Sequence, residues 1–447
     1  MASDARIPQG SPSPYARPRL SLSFWTFGLI NNVLYVIILS AALDLVPPST
    51  PKGIIAFANI APAMVSKVVW PYALKGRIRY AQRVWACTLL SFAGMIIVAA
   101  SPSLTLRLLG ISLASFSSGL GELTWLQLST LYNASGDDRR GLGYFASGTG
   151  AAGLVGAGLW WVLRGLGVTT GVGISSVLPF TIPLTYHVLL PAPSSFPPSH
   201  NPPSYAPLPT SSEEAEDTGA EASGLESKVV SSSLSGADKW TLVRPLLLRY
   251  ILPLFCVYTF EYTINQGIGP TLVYPVPTAE AHPVLARIIN SVRDYYPLWQ
   301  LVYQTFVFLS RSTLSLGLPP LPARLLALPS FLQALILLLL AYESFHGLLS
   351  SDPASLAAVP LVFALIALEG TCGGLAYVNA FYHVSQESSI STTPGPHRRK
   401  QEREFRIGSI GFGDTSGILL ASLLAMPAEV LLCDAQARRG KMICKTL

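Results

Sequence analysis

Apolar residues run through this chain in blocks of about twenty, separated by short polar or proline-containing stretches. A block of that length spans a bilayer core as a single helix. Eleven are predicted, over residues 23–45, 54–74, 84–100, 108–131, 142–163, 168–190, 246–273, 297–316, 323–345, 355–381 and 407–432. The first run is too long for a cleavable signal peptide and is expected to act as a signal anchor. The expectation is an all-α polytopic membrane protein of about eleven transmembrane helices in a 6+5 arrangement.

Six blocks precede a break and five follow it. The break is rich in Pro and Ser and carries Glu213, Glu214, Glu216, Asp217, Glu221 and Glu226. Such a segment buries too little apolar area to offset its ordering entropy, so it reads as a disordered linker. The predicted organisation is therefore a disordered cytosolic N-terminus (1–22), a six-helix half (23–190), a cytosolic linker (191–244), a five-helix half (245–433) and a basic tail (434–447). Two halves joined by a long central loop is the layout of the major facilitator superfamily, with solute bound between the halves. The second half is one block short of that layout. No convincing sequence repeat relates the halves, so layout alone carries the analogy.

Composition agrees with lipid as the main solvent. Of the 447 residues 50% are hydrophobic and only 12% charged, against roughly 25% charged in soluble domains. That excludes an ordinary soluble enzyme. The net charge of +6 comes without an aromatic-basic stripe, so nucleic acid is not an expected partner. Five scattered cysteines suggest neither a disulfide framework nor a zinc box, and the six histidines are equally dispersed. No metal and no cofactor is expected.

Basic loops orient the chain. Lys75, Arg77, Arg79 and Arg83 follow the second block, and Arg398, Arg399, Lys400, Arg403 and Arg406 follow the tenth. Counting places both on the side of the N-terminus and the linker, which is then cytosolic. Arg438, Arg439, Lys441 and Lys445 in the tail disagree, because an odd number of crossings sends them to the other side. The sequon Asn133-Ala134-Ser135 falls on the cytosolic side and is expected to be unglycosylated.

Four acids lie within the blocks: Glu122, Glu261, Glu369 and Asp414. A charge in hydrocarbon costs roughly 2.5–3.5 kcal/mol on insertion scales, so each must face the interior, find a partner or stay protonated. A buried carboxyl that loads and unloads a proton suits proton or cation coupling, and a hydrogen-bonded packing role is the plainer alternative. Glu261 and Asn265 are four apart and share a helical face, with Gln266 next. Asn31, Asn32 and Asn379 add amides, and Lys67 and Arg311 add cations that can pair with acids or bind an anionic solute. For Arg311 a snorkelling role is as good a reading. Gly148, Ala152 and Gly156 recur every four residues, a ridge for close helix packing. Cys444-Lys445-Thr446-Leu447 is a weak geranylgeranylation pattern, with Cys444 as acceptor.

With these residues in view, the chain resembles the battenin family of lysosomal and vacuolar membrane proteins. The similarity runs through Phe24-Trp25, Asn31-Asn32, Ser117-Ser118-Gly119-Leu120-Gly121-Glu122, Glu261-Tyr262, Ile264-Asn265-Gln266-Gly267, Tyr303-Gln304, Ser310-Arg311-Ser312, Glu369-Gly370, Ala376-Tyr377-Val378-Asn379 and Asp414-Thr415, in order. The resemblance adds Tyr303 to the solute-binding candidates. It implies a multi-pass vacuolar or lysosomal protein related to the major facilitators, associated with organelle pH homeostasis and with transport of basic amino acids or glycerophosphodiesters. The lipid bilayer, a small solute and protons are the expected partners. The alternative is a non-transporting regulator or scaffold, partnered by the vacuolar proton pump or trafficking proteins. An intramembrane enzyme is disfavoured, because no clustered histidines or nucleophile-base pair is evident.

Overall fold

The computed structural model describes residues 15–47, 50–73, 79–129, 132, 138–196, 236–314, 316, 318–347, 355–386 and 396–446. Among these there is no strand. Among the described residues eleven helical segments build the bundle: α1 (Ala16–Ser40), α2 (Gly53–Ala73), α3 (Tyr80–Ala100), α4 (Leu104–Ser129), α5 (Asp138–Leu163), α6 (Gly167–Ser175, continued to the π-turn Thr185–Leu189), α7 (Gly236–Leu246, continued through Leu252–Thr263), α8 (Tyr295–Arg311), α9 (Leu328–His346), α10 (Val359–Gln386) and α11 (Pro396–Arg438). Eight helical stretches are long and apolar enough to cross a membrane, and one of them, Gly143–Leu189, contains both α5 and α6. The remaining two segments are α2, whose described apolar stretch is Gly53–Lys67, and α8, which is rich in buried aromatic and amide side chains.

The boundary between α5 and α6 is a reversal at Gly167, whose φ of 80° lies in the left-handed region that glycine adopts without a Cβ clash. Two predicted boundaries move. Residues 236–244, assigned above to the linker, already form the start of α7, and the basic residues from Arg398 to Arg406 belong to α11 rather than to a loop. The Arg6 region, the sequon at Asn133, Lys75, Arg77 and most of the linker lie outside the described residues.

A packing repeat is present even though the sequence shows none. In the first half α1 packs on α5, α2 on α4 and α3 on α4. In the second, α7 packs on α11, α8 on α10 and α9 on α10, the same pairs six helices later. The halves meet through α2 with α11 and α5 with α8, again related by that offset. Close approaches make these seams: a Cβ on Gly53 would lie 2.8 Å from the Ser422 carbonyl oxygen, and one on Gly153 would overlap the Gln304 amide. Among the described residues three hydrophobic clusters form the core: one built on α1 and its neighbours, one on α8 and α10, and one on α7, α10 and α11 that takes in Ile60 of α2.

Candidate functional site

A cavity of about 110 Å³ lies between the halves. Its walls come from α1, α2, α4 and α5 on one side and α7, α8, α10 and α11 on the other, and none of the described residues lining it belongs to α3, α6 or α9. Every third helix thus stands outside the cavity.

Among the described residues two basic and two acidic side chains line it: Lys67, Arg311, Glu122 and Asp414. Lys67 Nζ is 2.7 Å from Glu122 Oε2, joining α2 to α4, and it donates to Thr415 Oγ1 at 3.2 Å, joining α2 to α11 across the halves. The Asp414 carboxylate accepts from the backbone N–H of Thr415 at 2.5 Å and from its hydroxyl at 3.0 Å. Arg311 also bridges the halves. It donates to Thr149 Oγ1 of α5 at 3.2 Å and to the Tyr258 hydroxyl at 2.9 Å, and its guanidinium sits 4.2 Å from the centre of the Tyr377 ring. Among the described residues no carboxylate lies within ion-pair distance of Arg311, and its buried Nε has no hydrogen-bond partner. Two cations and two acids therefore face one cavity but make a single ion pair.

Glu261 and Glu369 are not in the cavity wall. Tyr258 and Tyr262, four apart on α7, face the cavity, and Glu261 is turned away from them into the second half. Its Oε1 accepts from the Tyr303 hydroxyl, and Gln333 Nε2 approaches its Oε2 at 3.4 Å. Glu369 Oε1 accepts from Asn265 Nδ2 at 2.8 Å, Asn265 Oδ1 accepts from Gln300 Nε2 at 2.9 Å, and Gln333 also donates to the Glu369 backbone carbonyl at 3.0 Å. Among the described residues this polar core contains no cation, and Glu369 Oε2 has no hydrogen-bond partner. Tyr303 is its only member that also lines the cavity, among the described residues.

The other candidates separate by location. Asn32 lines the cavity, whereas Asn31 is turned away from it, donating to the Ser118 carbonyl at 3.1 Å and accepting from Trp125 at 3.3 Å. Gln266 accepts from Tyr296, which also reaches the Leu39 carbonyl across the halves. Asn379 accepts from the backbone N–H of Leu321 at 2.7 Å and so fastens the α8–α9 connection. Of the ridge residues, Gly148 and Gly156 lie against α1 within one half: Cβ atoms on them would meet the Trp25 and Val33 carbonyls. The glycines of α5 that touch the other half are Gly150 and Gly153.

Sequence reasoning missed Tyr258, Tyr262, Tyr377, Thr149 and Thr415 at the cavity, and Gln300 and Gln333 behind it. The four-residue spacing of Tyr258 and Tyr262 was an available signal. It also missed three ion pairs that join the halves at the face opposite the N-terminus: Lys52–Glu429 at 3.0 Å, Arg164–Asp294 at 2.9 Å and Arg293–Asp44 at 3.9 Å. Burial alone would push the Asp294 carboxyl up, but hydrogen bonds from Asn290 and Ser291 and the charge of Arg164 hold it below its ordinary value.

The cysteine reading is corrected. Cys433 and Cys444 form a disulfide across eleven residues, so the Cys444 thiol has no free sulfur to accept an isoprenoid. Cys87, Cys256 and Cys372 are free thiols. No group of three or more His, Cys, Asp or Glu with metal-holding geometry occurs among the described residues.

Residues 22–435 match the family described as "CLN3 protein". "Protein BTN1" of Mycosarcoma maydis is 46% identical over 96% of this chain and 88% of its own length. "Protein BTN1" of Cryptococcus neoformans (strain JEC21) is 44% identical over 99% of this chain and 98% of its own. Among solved structures, a bacterial homologue of the human lysosomal transporter Spinster, described as inward-facing and unoccupied, superposes with a TM-score of 0.53 at 12% identity. It covers 98% of this chain and 95% of the other. That likeness shows a fold of the major-facilitator type.

Proposed function

The chain belongs to the CLN3 (battenin) family, and on that premise we propose that it is a proton-linked secondary transporter of zwitterionic solutes working by alternating access. Its family and fold are those of membrane transport proteins. The observation that carries the proposal is the charge arrangement in the cavity: among the described residues Arg311 has no carboxylate within ion-pair distance, and Lys67 is left to serve both Glu122 and the Asp414–Thr415 stretch in the middle of α11. An uncompensated cation in a low-dielectric site is costly, and a bound anionic group removes that cost. A solute with an anionic group for Arg311 and a cationic group for Asp414 completes both pairs. Basic amino acids satisfy this, and so do glycerophosphodiesters whose head group carries an amine or quaternary ammonium. For the latter, the five cavity tyrosines supply aromatic faces for the cation.

Lys67 and Arg311 both bond across the halves, so a solute that engages them alters the contacts on which alternation turns. Glu122 and Asp414 contact solute and are the first candidates for coupling. Glu261, reached through Tyr303, and Glu369 behind it provide a second carboxyl pair screened from solute. The compartment assigned by this reading is the vacuolar or lysosomal membrane, where such flux would bear on organelle pH.

The purified protein in liposomes tests it. The expected result is solute flux that depends on a pH gradient and needs no partner. Silence in that assay together with capture of the proton pump would favour the regulator reading instead. If Glu261→Gln leaves the pH dependence of flux unchanged, coupling through Glu261 is wrong.

A further inference from the structure

The segment after α11 folds back onto the second half. Cys433, in the last turns of α11, is bonded to Cys444, and Ile443 and Cys444 pack against the α8–α10 hydrophobic cluster. Gln436 donates to the Thr271 carbonyl at 3.0 Å and to Ser344 Oγ at 2.8 Å, tying α11 to the ends of α7 and α9. Three of the four basic residues that upset the charge-based topology have a local use there. Lys445 pairs with Asp434 at 2.9 Å, Arg439 donates to the Ser344 carbonyl at 3.2 Å, and Lys441 sits 4.6 Å from the Tyr274 ring centre. The Tyr274 hydroxyl in turn donates to Glu343 at 3.0 Å.

We infer that this segment is an oxidised cap on the non-cytosolic face, held by Cys433–Cys444 over the ends of α7 and α9, and that its disulfide fixes the orientation of the whole chain. Two independent observations converge. Eleven crossings put the segment on the face opposite the N-terminus. Protein disulfides persist in oxidising compartments and are reduced in the cytosol, which places that same face toward a lumen. Arg439, Lys441 and Lys445 depart from the positive-inside trend because they are spent on partners within the fold. Forming the bond removes two protons and two electrons from the two thiols. An oxidised disulfide oxidoreductase of the secretory lumen accepts them by thiol–disulfide exchange and leaves as its dithiol. The inference does not depend on transport and stands or falls separately from it.

The test is a cysteine count on the full-length wild-type chain, isolated with its thiols trapped by acid and denatured in detergent. Maleimide-linked polyethylene glycol adds a fixed mass per free thiol. The expected result is modification of the three free cysteines before reduction and of all five after it. An epitope placed after Leu447 is expected to resist protease added to sealed organelles and to be lost once they are permeabilised. An equal count before and after reduction overturns the disulfide. A reduced count one short of five indicates a thioether on Cys444 and overturns the cap, and so does digestion of the epitope in sealed organelles.

Discussion

Arg311 is the residue on which the substrate reading rests most heavily. Its guanidinium fork reaches Thr149 and Tyr258 at once while stacking on Tyr377, a geometry that a lysine ammonium does not reproduce. Hydrogen bonds to charged groups contribute about 1.5–3 kcal/mol, or roughly ten- to a hundredfold in affinity. Arg311→Ala is therefore expected to raise the apparent KM for a zwitterionic solute by about that factor, and Arg311→Lys to recover only part of it, as read in concentration-dependent flux. Retention of wild-type KM by Arg311→Ala would remove the anionic subsite. Lys441 gives a prediction of another kind. Burial, outweighing the nearby Glu343 carboxylate, lowers its pKa to about 8. A lysine with a depressed folded-state pKa weakens the fold below that value, where it must carry its charge, and the cost fades as pH rises from about 8 toward the unfolded value near 10.4. Lys441→Gln should raise Tm at neutral and acid pH and lose that advantage above pH ~10; an equal change at both would show that charge burial is not the cause.

At the scale of elements, the glycines of α5 separate contact from space. A Cβ at Gly148 would overlap the Trp25 carbonyl of α1, whereas nothing lies within 4 Å of one at Gly158. Overpacking costs roughly 1–3 kcal/mol, while glycine to alanine in an open helical position is favourable by about 0.5–1 kcal/mol. Gly148→Ala is expected to lower Tm and Gly158→Ala to raise it slightly, in detergent-solubilised protein. Similar shifts for both would mean that α1 and α5 are not in close contact. The ridge at Gly148, Ala152 and Gly156 was legible because a four-residue period survives in sequence. The partner of that ridge was not, since the period is the same whether the neighbour belongs to the same half or the other. The helices themselves were legible for a related reason: length and apolarity are local quantities. The aim of a buried acid is not local. Glu122 and Glu261 look alike in sequence, yet one lines the cavity and the other points into a polar core, because helices apolar on all sides leave no stripe from which to read rotation. The Cys433–Cys444 bond escaped for the same reason, as its closure depends on a chain reversal at the end of α11.

For the whole molecule, three ion pairs hold the halves together at the far face while the cavity lies between them. A transporter has to break these pairs to open that face. Arg164→Gln leaves the buried Asp294 without its cation, and losing a charge-assisted bond of that kind shifts the balance between closed and open forms by roughly tenfold or more. A cysteine placed at Val36, in the cavity wall, should then react faster with an impermeant thiol reagent added to the far face; an unchanged rate would mean that this pair is not part of the closure. Acid is a poor key for the Arg164–Asp294 pair. A depressed carboxyl pKa makes its contribution present above the unfolded value of about 3.9 and lost only as pH falls through the still lower folded value. Closure at this pair is therefore expected to persist at mildly acidic pH, and any pH sensitivity of the proposed flux to come from other carboxyls.

The central claim is that the cavity takes a solute carrying both signs of charge. Counterflow into liposomes containing the purified protein tests it most directly, with three classes of radiolabelled solute offered in turn: zwitterionic or basic amino acids and amine-bearing glycerophosphodiesters, simple anions such as glycerol phosphate, and simple amines. Exchange of at least one solute of the first class, with little of the second or third, is the predicted result. Exchange of an anion or an amine in preference to every member of the first class would contradict it.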